Sequence, residues 1–402
     1  MTAPIEFSPD YVAAHSPVEA QLYSGFYRSG EPFKSLFADR PWLHPPDLKQ
    51  PLQWGTGAYW DTHVAREHPY WQDHPLPQAC KDIRQLRADL KEWGYCLIED
   101  GMSATQCATF ITRLREQAAG ERAAGIADMT PSGQYVNTLI NKGRCFGQCI
   151  EQDPAAVQAG PVIEQLINET LGRGWICHSF LANGADPGGY PQGLHIDQGP
   201  LAPWITEQAP ALVNTMYIPQ DVDAHNGGTL LIPGSHKLMI RAYQGEHIDE
   251  VPPPINLEAK AGTIMIFDGR VLHGTGANRS EKQRFVATMS NVKDWMRQQE
   301  NWILSVAPDV IEQASDKLLH RMGMQALTYG STVEGYGLGA RGRAGDAWGN
   351  LRRFRLAQEQ GTYQRVRELG PHSSAEQLTA PYTVREVQGL PGQYRPASKS
   401  KT

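Results

Sequence analysis

Two residues apart in the run GGYPQGLHIDQGP, at 188–200, stand an imidazole and a carboxylate, His195 and Asp197. On an extended chain, side chains two apart project to the same side. The pair can therefore bind one ion, with Ile196 turned into the opposite layer. Two protein ligands are too few for a catalytic metal site, so a third must come from elsewhere. His273, in MIFDGRVLHGTGANRS, ends an apolar run at a glycine-bounded edge, where a side chain can line a barrel mouth. Two histidines and one carboxylate are the set that holds Fe(II) and leaves coordination positions open. His225 and His236 compete for the third place, although His236 follows the Pro-Gly turn of IPGSH and suits capping or packing.

Arg284 stands eleven residues after His273, at the start of the next apolar run. A glycine-rich loop joining two antiparallel strands would point both side chains into one cavity. A guanidinium there offers a planar fork for a carboxylate. An open iron site with a fixed cation behind it suits a dicarboxylate that chelates at one end and is anchored at the other. 2-Oxoglutarate has that shape. Two other classes use the same residues differently: a zinc-dependent hydrolase with an activated water, and a non-catalytic β-barrel binding protein for small molecules. The hydrolase would not need Arg284, and the sequence holds no HExxH-type helix to supply its base.

The elements that must position these groups are legible in outline. CKDIRQLRADLKEW has helical spacing and Gly94 stops it; YCLIE reads as a short strand, and Ser103 caps a second helix, ATQCATFITRLREQ. Residues 135–141 and 175–183 read as strands, with a proline-opened helix over 161–171 between them. From 193 to 291, strands are expected at Val213–Ile218, Thr229–Ile232, Thr263–Phe267, Arg270–His273 and Arg284–Ser290, separated by turn residues. Short strands broken by turns, with helices mostly ahead of them, imply a mainly β fold with flanking helices, built on a double-stranded β-helix (jelly-roll, cupin-like) core. PDVIEQASDKLLHRMGMQAL then returns to helix.

Three parts follow. Residues 1–79 hold 13 of the 35 aromatic residues and read as an arm packed on the core, or contributing to a lid or a dimer contact, so that a homodimer is among the expected assemblies. Residues 80–295 form the jelly-roll domain, and 296–402 a helical extension with a polar tail. The histidines of the first part (His44, His63, His68 and His74) have no ligand spacing. The net charge of −6 gives no reason to expect nucleic acid or an anionic membrane, and the arginines at 341, 343, 352, 353 and 355 read as a solvated face. Six cysteines form no CxxC pair and read as reduced thiols. With no leader and no apolar run near the ~20 residues of a membrane span, the expectation is a cytoplasmic protein, where ferrous iron survives.

Together, H-x-D at 195–197, NGGTLLIPGSHK at 226–237, and His273 and Arg284 with GTGAN between them resemble the phytanoyl-CoA dioxygenase family of Fe(II)/2-oxoglutarate-dependent oxygenases. The resemblance covers roughly 83–292 and includes LKEWGYCLIEDGMSATQ. It implies His195, Asp197 and His273 as iron ligands and Arg284 as the anchor for the C5 carboxylate of 2-oxoglutarate. Asn214 is the implied polar contact to that cosubstrate, with Gln192 and Thr229 as further candidates. The implied reaction consumes O2, releases succinate and CO2, and hydroxylates, desaturates or cyclises a small-molecule substrate. Asp197 speaks against halogenation, which in some relatives needs a small residue at that place. Asn137, Asn141 and Trp204 are candidate pocket residues. The acidic balance argues mildly against a CoA ester, with Lys142 and Arg144 as the opposing signal.

Overall fold

A computed structural model describes residues 69–324 apart from 190, 193, 199–209, 245, 247–251 and 253. Trp204, most of the aromatic arm, the late arginines and the polar tail lie outside the described residues.

Helix α1 (Ile83–Trp93) starts where the Asp82 side chain accepts the Arg84 N–H, and ends at Gly94 in the left-handed region (φ 78°). A Cβ at Gly94 would also meet His236 Nδ1 and Val271 Cγ2 at 2.5 Å, so packing and conformation both require glycine. Strand β1 (Tyr95–Ile98) follows, then α2 (Ala104–Ala123), whose first turn is closed by a reciprocal capping box between Ser103 and Gln106. After β2 (Asp128–Thr130) and β3 (Gly133–Val136) come α3 (Arg144–Ile150) and α4 (Gly160–Leu171). The remainder runs β4 (Ile176–Ala185), β5 (Leu212–Tyr217), β6 (Leu230–Leu231), α5 (Ser235–Tyr243), β7 (Ile255–Asn256), β8 (Ile264–Asp268), β9 (His273–Gly274) and β10 (Arg284–Val292). Three short helices close it: α6 (Trp302–Ser305), α7 (Pro308–Gln313) and α8 (Asp316–Arg321).

The strands form a seven-stranded antiparallel sheet, in the order β1-β8-β5-β10-β4-β3-β2, and a smaller sheet, β7-β6-β9. Gly188, Gln192 and His195 extend the smaller sheet, donating backbone N–H groups to Asn278, Thr275 and His273. From β4 onward the chain crosses repeatedly between the sheets, which is the jelly-roll core. The larger sheet buries both faces. Cys96, Val213, Ile264, Ile266, Ala287 and Met289 pack outward among Phe110, Leu114, Ile163 and Ile167 of the helices. Tyr95, Leu97, Met216, Met265, Phe267 and Val286 pack inward with Leu231, Ile255 and Leu257. Side chains from α6–α8 (Trp302, Ile311, Leu318 and Leu319) join the outer cluster.

Several element expectations need correction. The strand expected over 135–141 ends at Val136; Thr138 takes a left-handed conformation (φ 51°) and Leu139–Asn141 form a 3-10 turn. There the chain turns in to bury Lys142, whose Nζ lies 2.5 Å from Glu121 Oε1, with side chains 2% and 4% exposed. The strand expected over Arg270–His273 shrinks to His273–Gly274, because Asp268 and Arg270 form a tight turn. The helix expected from Pro308 onward breaks at Ala314, and Ser315 caps a fresh one. Helices α3 and α5 were not anticipated.

The Lys142–Glu121 pair yields a stability test. Removing one partner of a buried ion pair costs about 3–5 kcal/mol, whereas removing both charges costs far less. Lys142→Met should destabilise the protein by about that amount in urea unfolding, and Glu121→Gln/Lys142→Met should recover most of the loss. Equal stabilities would show that the pair is energetically idle.

Candidate active site

His195 and His273 face each other across two antiparallel strands and exchange both backbone hydrogen bonds, at 2.9 and 3.0 Å. Residues so paired place their side chains on the same face, and the two imidazole centroids are 4.5 Å apart. Asp197, two residues further on, completes the group. Its Oδ1 lies 3.5 Å from His195 Nε2 and its Oδ2 3.5 Å from His273 Nε2. One ligand atom from each of the three lies within 4.8 Å of the others, a spacing that could hold one metal ion. The side chains are 11%, 25% and 10% exposed in chain order, so the carboxylate is the least buried of the three.

The protonation states suit metal binding, which needs neutral imidazole and ionised carboxylate. His273 Nδ1 lies 3.0 Å from the Val271 carbonyl. A carbonyl only accepts, so the ring proton sits on Nδ1 and the Nε2 lone pair faces the cluster. Burial pushes His273 down, against the opposing pull of Asp197. Burial would raise Asp197, but His273, His195 and the Asn214 amide outweigh it and hold the carboxyl well below the ordinary range.

Asn214 lies on the inward face of β5. Its Nδ2 donates to Asp197 Oδ2 at 2.7 Å, and its Oδ1 accepts from Ser290 Oγ at 2.7 Å. Ser290 is the residue directly opposite it on β10, and Phe267 is opposite on β8. The Phe267 ring meets His273 edge-on, with centroids 4.9 Å apart. The structure thus occupies Asn214 with Asp197 and Ser290. Ser290 escaped the sequence reading, although it is six residues from Arg284 and so shares its side of an extended strand. His178 also escaped it: this buried residue on β4 accepts the Gln299 N–H at Nδ1. Burial pushes it down to about 4, against the field of Asp197.

Arg284 opens β10 opposite Ala185, with the same inward parity as Ser290. Its residue exposure is 1%. Nη2 donates to the Gly227 carbonyl, while Nε and Nη1 are buried without a hydrogen-bond partner among the described residues. Desolvation pushes this guanidinium down to about 10. A buried cation with two open donors is costly unless an anion completes it.

The other candidates are committed locally. The Thr229 hydroxyl donates to Met216 Sδ, and Gln192 accepts from Thr275 at its Oε1. Asn137 donates to Asp128, and Asn141 clamps the backbone of Ser305 and Ala307. His225 bonds through its backbone within its own turn and to Arg279. His236 lies on α5 with Nε2 3.3 Å from the Lys91 carbonyl.

Residues 90–286 match the family model for phytanoyl-CoA dioxygenase. Over that stretch, just under half of the chain, the sequence is similar to the phytanoyl-CoA dioxygenase family. Among similar proteins, dioxygenase af480 of Aspergillus fumigatus is 27% identical over 257 residues, covering 62% of this chain and 79% of its own. Dioxygenase FUM3 of Gibberella moniliformis is 36% identical over 101 residues, but this match spans 24% of the present chain and only 32% of the relative. The crystal structure of EctD from S. alaskensis with 2-oxoglutarate and 5-hydroxyectoine shares 17% identity at a TM-score of 0.43, covering 54% of this chain and 78% of that one. With that similarity comes the enzyme class, a non-haem iron dioxygenase that uses 2-oxoglutarate, and the cluster of two histidines and one aspartate fits it. Among the described residues, no helix is long and apolar enough to cross a membrane.

The Asn214 contact predicts a measurable dependence. Outer residues that orient metal ligands are typically worth 10- to 100-fold in metal affinity. Asn214→Ala should weaken Mn(II) binding by about that factor in calorimetric titration. Unchanged affinity would mean that Asp197 is oriented without it.

Proposed function

We propose that His195, Asp197 and His273 hold Fe(II), and that Arg284 receives the far carboxylate of 2-oxoglutarate. The observation that carries the reading is the state of Arg284: an inward-facing guanidinium, buried, with two donors unpartnered among the described residues. A dicarboxylate chelating at one end satisfies both requirements at once. Its far carboxylate would complete the fork at Arg284, and its 2-oxoacid end would chelate a metal held by His195, Asp197 and His273.

When bound, iron and 2-oxoglutarate supply the oxidising chemistry: the oxoacid and O2 become succinate and CO2, and the remaining oxygen atom oxidises a substrate C–H. The chain's own residues do the rest. Asn214 and Ser290 hold the Asp197 carboxylate in one orientation. The Val271 carbonyl fixes the tautomer of His273. The apolar inner cluster around Met216, Met265 and Phe267 keeps bulk water from one side of the centre. With a carboxylate at Asp197 rather than a small residue, the reaction is not halogenation but hydroxylation, or a desaturation or ring closure that begins with the same C–H abstraction.

The substrate is a small to medium organic molecule. Lys142, the cation best placed in sequence for a CoA phosphate, is buried against Glu121, which favours a substrate without that headgroup. A zinc hydrolase would leave the Arg284 fork without a task, and a metal-free binding barrel would leave the cluster of His195, Asp197 and His273 without one.

Arg284→Ala tests the assignment. Losing a buried charge-assisted pair of this kind is worth about 3 kcal/mol or more, or at least ~100-fold. KM for 2-oxoglutarate should rise by that factor, with Mn(II) affinity nearly unchanged. Collapse of metal binding with an unaltered KM would reassign Arg284 to folding or to the metal.

A further inference from the structure

Between β8 and β9 the chain makes a turn over 268–271 held by a buried ion pair. Arg270 Nε donates to Asp268 Oδ1 at 2.8 Å and Nη2 to Oδ2 at 2.6 Å, with the side chains 5% and 7% exposed. The same Oδ1 accepts the Arg270 backbone N–H, and the Val271 N–H closes on the Asp268 carbonyl. A bidentate guanidinium–carboxylate pair within three residues of chain leaves that turn little freedom.

What the turn presents matters more than the pair itself. The Gly269 carbonyl accepts the N–H of Gln198, the residue after Asp197, at 2.9 Å. The Val271 carbonyl faces His273 Nδ1. One turn therefore governs two of the three ligand arms: it places the backbone of one and selects the tautomer of the other. Its surroundings add to this. Gly269 approaches Leu212 so closely that a Cβ would lie 2.6 Å from Leu212 Cδ2. Ser235 Oγ accepts the Leu272 N–H.

We propose that Asp268 and Arg270 are the positioning residues of the metal centre, holding the turn through which the Asp197 and His273 arms are aimed. The inference rests on the reading of the triad as metal ligands. Neither residue touches the metal, the cosubstrate or the reacting atoms in this account, and their action passes through the Gly269 and Val271 carbonyls.

The test uses Co(II), whose visible d–d bands report coordination geometry, on the full-length protein. Asp268→Asn should lower Co(II) affinity ten- to a hundredfold and alter those bands. Arg270→Lys keeps the charge but loses the fork, and should fall between it and the unaltered protein. Arg321→Lys is the control. Arg321 is also a buried arginine, paired with Glu164 and stacked 3.6 Å from the Trp175 ring centre, and it makes none of the hydrogen bonds around the triad. It should lower Tm and leave Co(II) binding alone. If Asp268→Asn does not fold, Asp268→Asn/Arg270→Gln removes both charges and carries the same measurement. Lowered Tm with unchanged Co(II) affinity and bands in the Asp268 and Arg270 variants would overturn the proposal. Equal Co(II) binding by the unaltered protein and His273→Ala would instead overturn the ligand reading on which it rests.

Discussion

The pair of backbone hydrogen bonds between His195 and His273 is the constraint on which the site depends. These residues are 78 positions apart in sequence, and His273 also pairs on its other side with Leu231 of β6. Direct pairing puts both imidazoles on one face, and the two-residue step to Asp197 brings the carboxylate to the same place. A slip of one residue in this register would turn one histidine outward and destroy the cluster. The flanking bonds from Gln192 to Thr275 and from Gly188 to Asn278 fix the register over several residues.

The interior of the jelly roll is divided in a way that serves this cluster. Toward β1, β8 and β7 the inward side chains are apolar and pack the two sheets together. Toward β4, β10 and β5, where Met216 and Val286 continue the apolar packing, polar side chains also turn inward: Ser179, Asn183, Asn214, Arg284 and Ser290. Polar groups inside a barrel are tolerated only when partnered. Most of these find partners; Asn214 bonds Asp197 and Ser290, and Asn183 bonds Thr275. Arg284 has only the Gly227 carbonyl for its guanidinium among the described residues. Dense packing on one side and an incomplete ionic site on the other are the arrangement of a barrel built to take a charged small molecule.

Much of this was legible in the chain. The capping signals at Ser103 and Gly94 are local, and β4, β5, β6, β8 and β10 follow from short apolar runs cut by turn residues, whereas the two-residue β7 carries no such run. The cluster of His195, Asp197 and His273 was legible because H-x-D is a same-face spacing and because His273 and Arg284 flank one loop. What escaped depended on contacts distant in sequence. Lys142 reads as a cation available to a CoA ester until α2 supplies Glu121. Arg270 reads as part of a strand until Asp268 folds back on it. Ser290 and His178 carry no signal beyond strand parity, and Asn214 reads as a cosubstrate contact until Asp197 is seen beside it. Helix α3 is only seven residues long, and its glycine and two cysteines give no clear periodicity.

The central claim is that one cavity holds both the metal and the 2-oxoacid, with His195, Asp197 and His273 at one end and Arg284 at the other. Anaerobic titration of the protein with Fe(II) and 2-oxoglutarate measures this most directly, through the weak visible charge-transfer band of the iron–oxoacid chelate. The band should form in the unaltered protein and be lost in His195→Ala and in His273→Ala. Absence of the band in the unaltered protein, or its survival in both variants, would contradict it.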